Sequence, residues 1–174
     1  NIPFDLGIIR NHYMGRTFIE PSAEIRNLGV RLKHNANAAY LAGKRVVLVD
    51  DSIVRGTTSK KIVSMVRAAG ATEVHMRISS PPISDSCYYG IDTPRKDELL
   101  ASKYSIEEMA ELIGVDTLAY ITPDGLYRAV CGQDRNPDEP QFCDACFTSE
   151  YPIPLVDHDA GFNPAQLSLL SAVE

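Results

Sequence analysis

Val46-Val47-Leu48-Val49-Asp50-Asp51-Ser52-Ile53-Val54-Arg55-Gly56-Thr57-Thr58 is the stretch whose reading decides the fold. Its short, β-branched apolar run reads as a buried parallel strand. The run ends in two adjacent carboxylates, followed by small and hydroxyl residues. Thr57, Thr58 and Ser59 are candidate helix N-caps. Ile62, Met65, Val66 and Ala69 then recur at the spacing of one apolar helix face. Gly70 stands where a C′ glycine ends a helix, and 73–79 reads as the next strand, completing a βαβ unit. Open α/β sheets bind ligands at the C-terminal ends of their strands, and a helix N-terminus suits a phosphate. Two carboxylates repel phosphate, but they can hold ribose hydroxyls or a Mg²⁺ that carries the phosphate charge. The stretch therefore fits a ligand with a sugar diol, a phosphate and a magnesium ion. It is neither a Gly-x-x-x-x-Gly-Lys-Ser/Thr loop nor a Gly-x-Gly-x-x-Gly loop. The plainer alternative is a flavodoxin-like sheet whose acids only cap a helix.

Working outward, residues 1–15 read as a strand or turn. Arg16, Arg26, Arg31, Lys33 and His34 load the next twenty residues with positive charge. Pro21 and Gly29 punctuate that segment, which reads as a polar loop with a short helix near 22–28. Pro81-Pro82 ends the second strand by removing ladder donors. Ile106, Met109, Ala110 and Ile113 mark a second amphipathic helix, with Ser105 and Glu108 spaced as a capping box. Residues 116–122 suggest another strand. Thr122-Pro123-Asp124 supplies a cap, an N1 proline and a first-turn acid for a third helix. A polar loop spans 132–140, and a proline-bearing arm runs on from Tyr151. The alternation indicates an α/β domain with a mainly parallel sheet over 1–130, and an extension over 131–174.

The chain has 174 residues, 44% hydrophobic and 23% charged. That length buries roughly 70% of the unfolded surface, enough for a core without disulfides. The net charge of −6 argues against nucleic acid or an anionic membrane as a partner. No run of eighteen apolar residues is present, so no membrane span is expected. Asn1-Ile2-Pro3 shows neither a leader pattern nor an initiator Met, and the expectation is a fragment or processed product. Cys87, Cys131, Cys143 and Cys146 without a leader point to a reducing, cytoplasmic compartment. There Cys143-Asp144-Ala145-Cys146 reads as metal or redox chemistry.

Residues 50–58 resemble the phosphoribosyl-pyrophosphate (PRPP) loop of type I phosphoribosyltransferases. Further pieces resemble the glutamine PRPP amidotransferase family: 13–19, 29–33, 79–83 (Ser79-Ser80-Pro81-Pro82-Ile83), 89–92 and 98–101. The resemblance implies a type I phosphoribosyltransferase-like fold whose N-terminal part is missing. It implies that Asp50 and Asp51 meet the ribose hydroxyls and Mg²⁺. Ser52, Ile53, Val54, Arg55, Gly56, Thr57 and Thr58 are implied to form the rest of the PRPP site, with the 5-phosphate cradled from Ser52 and Arg55 onward. Residues 13–33 resemble the family's flexible loop, which gives Arg16, Arg31 and Lys33 the task of compensating pyrophosphate charge as the C1 bond breaks. For each of those three cations the alternative is a solvated surface charge. The implied chemistry is displacement at C1 of PRPP by ammonia, delivered from an upstream glutaminase domain.

The cluster-bearing branch of the family holds a [4Fe–4S] cluster on four cysteines. The resemblance places Cys87, Cys143 and Cys146 among them and the fourth ligand upstream. It leaves Cys131 as an ordinary, partly buried thiol, or as the fourth member of a set closed within this chain. By spacing alone the Cys-x-x-Cys pair also suits zinc or a redox pair. A homo-oligomer and purine-nucleotide feedback are implied as well. Two other functions fit the loop: a standalone nucleobase phosphoribosyltransferase, and a non-catalytic PRPP-binding regulator.

Overall fold

The structure is a computed structural model, and it describes residues 2–10, 34–153 and 155. Strand β1 (Ile8–Arg10) pairs antiparallel with β2 (His34–Ala36). Helix α1 (Ala38–Leu41) leads into β3 (Arg45–Asp50), α2 (Thr57–Ala68) and β4 (Glu73–Ile78). Two 3₁₀ turns, Lys96–Glu98 and Leu100–Ser102, precede α3 (Ile106–Ile113). Strand β5 (Thr117–Tyr120), α4 (Pro123–Cys131) and α5 (Ala145–Thr148) follow. β3, β4 and β5 form a parallel sheet in that order, with Leu48 opposite Met76 and Met76 opposite Leu118.

The core lies on one face of this sheet. Val74, Met76 and Ile78 of β4 point into it, together with Leu118 of β5. Val63 and Val66 of α2 and Met109 and Ile113 of α3 close over them. Each such side chain contributes about 1.5–3 kcal/mol on full burial. The expected βαβ unit is present, and Gly70 follows the helix in the left-handed region at φ 96°. The capping box forms: Glu108 N–H donates to Ser105 Oγ at 3.2 Å, and Ser105 N–H donates to Glu108 Oε2 at 2.8 Å. Thr122 caps α4 by accepting from Gly125 N–H at 3.0 Å.

Two local expectations need correction. The sequence suggested a strand buried on both faces at 45–50, but Val47 and Val49 are exposed, at 42% and 76%. Among the described residues only Val46 and Leu48 of the run pack against the core, and Val47 and Val49 form an uncovered face. The cap of α2 is Gly56, not a hydroxyl residue, and no side chain bonds there. Its φ of 71° is left-handed, which a threonine adopts only under strain. The helix expected near 22–28 lies outside the described residues.

One carboxylate pins the two outer helical ends to the sheet. Asp116 accepts from Val74 N–H at 2.6 Å and from Arg67 Nη2 at 2.8 Å. Arg67 Nε also donates to Gly114 O at 3.0 Å. The last turn of α2 is thereby tied to the end of α3 and the start of β4.

Candidate functional site

Asp50 is the last residue of β3 and Asp51 the first beyond it. Asp51 N–H donates to Asp50 Oδ1 at 3.0 Å, and Ser52 N–H donates to Asp51 Oδ1 at 2.8 Å. Burial pushes the Asp50 carboxyl up; the Asp51 N–H opposes this, and the neighbouring Asp51 charge adds to the rise. Such a carboxylate gains from a cation or a hydroxyl donor placed over it. Ser79, just past β4, steadies the strand end: its N–H and Oγ donate to Asp50 O at 3.0 and 3.1 Å. No local pattern marks this role of Ser79, because the contact depends on the register of β3 against β4.

The loop then turns inward. Ile53 is 2% exposed and belongs to the core, so its side chain is turned away from the loop surface and only its backbone faces outward. Val54 O accepts from Leu100 N–H at 2.8 Å. Gly56 turns the chain into α2, whose first turn carries no acid. The first N–H groups of a helix lack intrahelical partners. They sit beside Thr57 and Thr58 and form an anion-favouring end. Arg55 leans the other way, onto Glu98, with Nε 2.9 Å and Nη2 2.8 Å from Oε2. That partner joins segments far apart in sequence, so no local signal marked it. A cavity of about 210 Å³ opens behind the loop, lined by Arg55, Thr57, Lys60, Leu100 and Tyr104 among others. Arg16, Arg31 and Lys33 lie outside the described residues.

Cys87, Cys143 and Cys146 converge at a second place. Burial raises the Cys146 thiol, and the neighbouring Cys87 and Cys143 push it further. Ser84 N–H and Asp85 N–H both donate to Cys146 O at 3.1 Å, which brings the Cys87 loop against α5. Cys87 N–H is held by Thr93 Oγ1 at 2.7 Å. Cys131 faces elsewhere: its Sγ donates to Tyr127 O at 3.1 Å, and it is exposed where partial burial was expected. All four thiols are free.

Among the described residues, no group of three or more His, Cys, Asp or Glu side chains is arranged to hold one metal ion. A tetrahedral zinc with bonds of about 2.3 Å needs its sulfurs packed within about 3.8 Å of one another. A cubane takes each thiolate on a different iron and spreads its ligands wider. Cys87, Cys143 and Cys146 offer three thiolates of the kind such a cluster takes. Mg²⁺ keeps several waters and takes only one or two carboxylates plus substrate phosphates, and the Asp50–Asp51 pair fits that.

A parallel sheet flanked by helices, carrying a strand–loop–helix junction of this kind at its C-terminal edge, is part of a type I phosphoribosyltransferase fold. Over this segment the chain belongs to the amidophosphoribosyltransferase family. It is 59% identical to the amidophosphoribosyltransferase of Rhizobium etli over 172 residues, covering 98% of this chain and 35% of that protein. Identity to the Bacillus subtilis enzyme is 54% over 154 residues, 88% of this chain and 32% of that protein. The glutamine PRPP amidotransferase structure from B. subtilis complexed with ADP and GMP matches with a TM-score of 0.74 at 52% identity, over 88% of this chain and 34% of that one. The chain thus spans about a third of the length of these relatives. No family model matches it. Among the described residues no helix is long and apolar enough to cross a membrane.

Proposed function

We propose that this chain carries the PRPP-binding part of an amidophosphoribosyltransferase, which joins ammonia to C1 of PRPP and releases pyrophosphate as the first step of purine synthesis. The observation that carries this reading is the β3–α2 junction, where paired carboxylates stand beside a helix end with neither side-chain cap nor acid. Asp50 and Asp51 hold the ribose diol and the metal, while Ser52, Gly56, Thr57 and Thr58 cradle the 5-phosphate. Arg55 joins that cradle by leaving Glu98. Mg²⁺, when bound, supplies charge neutralisation for the departing pyrophosphate. Arg16, Arg31 and Lys33 add cationic charge to the same group, and closure of their loop excludes water.

Ammonia comes from a glutaminase domain elsewhere in the full-length protein. Cys87, Cys143 and Cys146 hold three corners of a [4Fe–4S] cluster. The Bacillus subtilis structure is complexed with ADP and GMP, and purine nucleotides are the proposed feedback ligands here. A homo-oligomer in the cytoplasm completes the reading.

The test is Asp50→Asn and Asp51→Asn in the full-length protein. PRPP-dependent turnover is expected to vanish in each, with circular dichroism unchanged. Near-normal turnover in both variants overturns the assignment of the site.

A further inference from the structure

Asp144 sits between the two cysteines of the Cys-x-x-Cys pair, yet its side chain is only 6% exposed. Arg135, 10% exposed, meets it with Nε at 2.5 Å and Nη2 at 3.3 Å. Tyr127 OH lies 3.0 Å from the same Oδ2 and 3.0 Å from Phe142 O. The other side of Arg135 is held by Glu150 at 2.5 Å. Tyr127 belongs to α4, so this cluster fastens the cysteine pair to a helix of the main domain.

The backbone of Asp144 continues the connection. Its carbonyl accepts from Phe147 N–H at 2.8 Å and Thr148 N–H at 3.1 Å, starting the turn that carries Cys146. Cys146 O in turn receives Ser84 and Asp85 N–H, just ahead of Cys87. Two further bonds close the seam: Ser149 Oγ to Asp85 Oδ2 at 2.8 Å, and Tyr151 OH to Ser86 O at 2.6 Å. The three thiols, from two segments distant in sequence, are therefore held close by this network of hydrogen bonds and ion pairs.

A buried ion pair contributes little to stability compared with apolar packing of the same volume, but it is directional. Groups that orient ligands from outside the metal shell change metal affinity by about 10–100-fold. On the cluster reading given above, we propose that Asp144, locked by Arg135 and Tyr127, is a positioning residue that presets Cys87, Cys143 and Cys146 before any iron is bound.

The test uses full-length protein: wild type, Asp144→Asn and Tyr127→Phe. Metal-free samples are alkylated with iodoacetamide, and each cysteine is followed by mass spectrometry with the exposed Cys131 as internal reference. Wild-type Cys146 is expected to react slowly relative to Cys131. Losing a charge-assisted hydrogen bond should speed Cys146 by about tenfold or more in Asp144→Asn, and by less in Tyr127→Phe, which keeps the ion pair. Iron-loaded samples are expected to lose visible absorbance in air faster, in the same order. Should Asp144→Asn fail to fold, Tyr127→Phe decides, since it removes one hydroxyl. An unchanged Cys146-to-Cys131 ratio in the metal-free variants, when the wild type does bind iron on reconstitution, overturns the positioning role alone. A wild type that binds no iron under anaerobic reconstitution overturns the cluster reading itself, so the two failures are distinct.

Discussion

Replacing Gly56 by alanine should loosen α2 and the loop before it by a magnitude that can be worked out in two parts. Gly56 holds φ 71°, and a Cβ there would stand 2.8 Å from Leu100 Cδ2. The left-handed backbone costs about 1–2 kcal/mol for a residue with a Cβ. Overpacking costs about 1–3 kcal/mol. The lower end applies, because a terminal methyl of a half-buried leucine can swing away. Leu100 cannot retreat as a whole, since its N–H is tied to Val54 O. The sum is about 2–3 kcal/mol, or about 30- to 150-fold in a local opening equilibrium. Native-state hydrogen exchange on the amides from Ser59 to Val66 in the full-length protein reads that equilibrium. A double-mutant cycle with Leu100→Ala separates the parts. The clash should disappear, giving a coupling of about 1 kcal/mol, while the backbone cost stays. Protection within about threefold of wild type in Gly56→Ala refutes the left-handed cap, and zero coupling refutes the clash.

Two pH dependences follow from the sheet. Asp116 is held below its ordinary 3.8, first by the Val74 N–H and then by Arg67. The unfolded chain therefore takes up this proton first. Stability from Asp116 is present above pH 3.8 and is lost as pH falls through the lowered value. Acid titration of unfolding should show this step in wild type and not in Asp116→Asn. Burial pushes Tyr120 up from 10.0 to about 12. The folded state keeps that proton longer, so stability falls between pH 10 and about 12. Tyr120→Phe should flatten that fall by the slope of one proton in a denaturant series.

What was legible in the sequence was local. The capping box of Ser105 and Glu108 and the Thr122-Pro123 start are complete within four residues, and both form as read. The βαβ unit followed from a short, continuous β-branched run giving way to an apolar period of 3.6. Gly56 misled because Thr57, Thr58 and Ser59 all carry good capping groups, while the deciding variable is a left-handed turn invisible to composition. Val47 and Val49 misled for another reason. A β-branched run records strand propensity, and which face is covered depends on elements elsewhere. The resemblance named Asp50, Asp51 and the three clustered cysteines. It included the segments that hold Ser79 and Glu98 but assigned no contact to them or to Asp144, because their partners come from segments brought near only by folding.

The two candidate sites hang from one edge of one sheet. The segment leaving β4 starts at Ser79, which holds Asp50 O, and reaches Ser84 and Asp85, which hold Cys146 O. Proximity of this kind does not by itself couple two sites; coupling needs an element with two arrangements that both sites bias. The intervening Pro81 is almost wholly buried, and Pro81-Pro82 has its φ angles fixed by the rings. A segment so constrained has few alternative states to offer. It transmits position, fixing where Cys87 and Asp50 stand, and it resists transmitting change. The thiol set and the acid pair thus share a stiff frame, and Asp144→Asn is expected to leave hydrogen-exchange protection at Asp51 and Ser52 unchanged while it alters Cys146 alkylation.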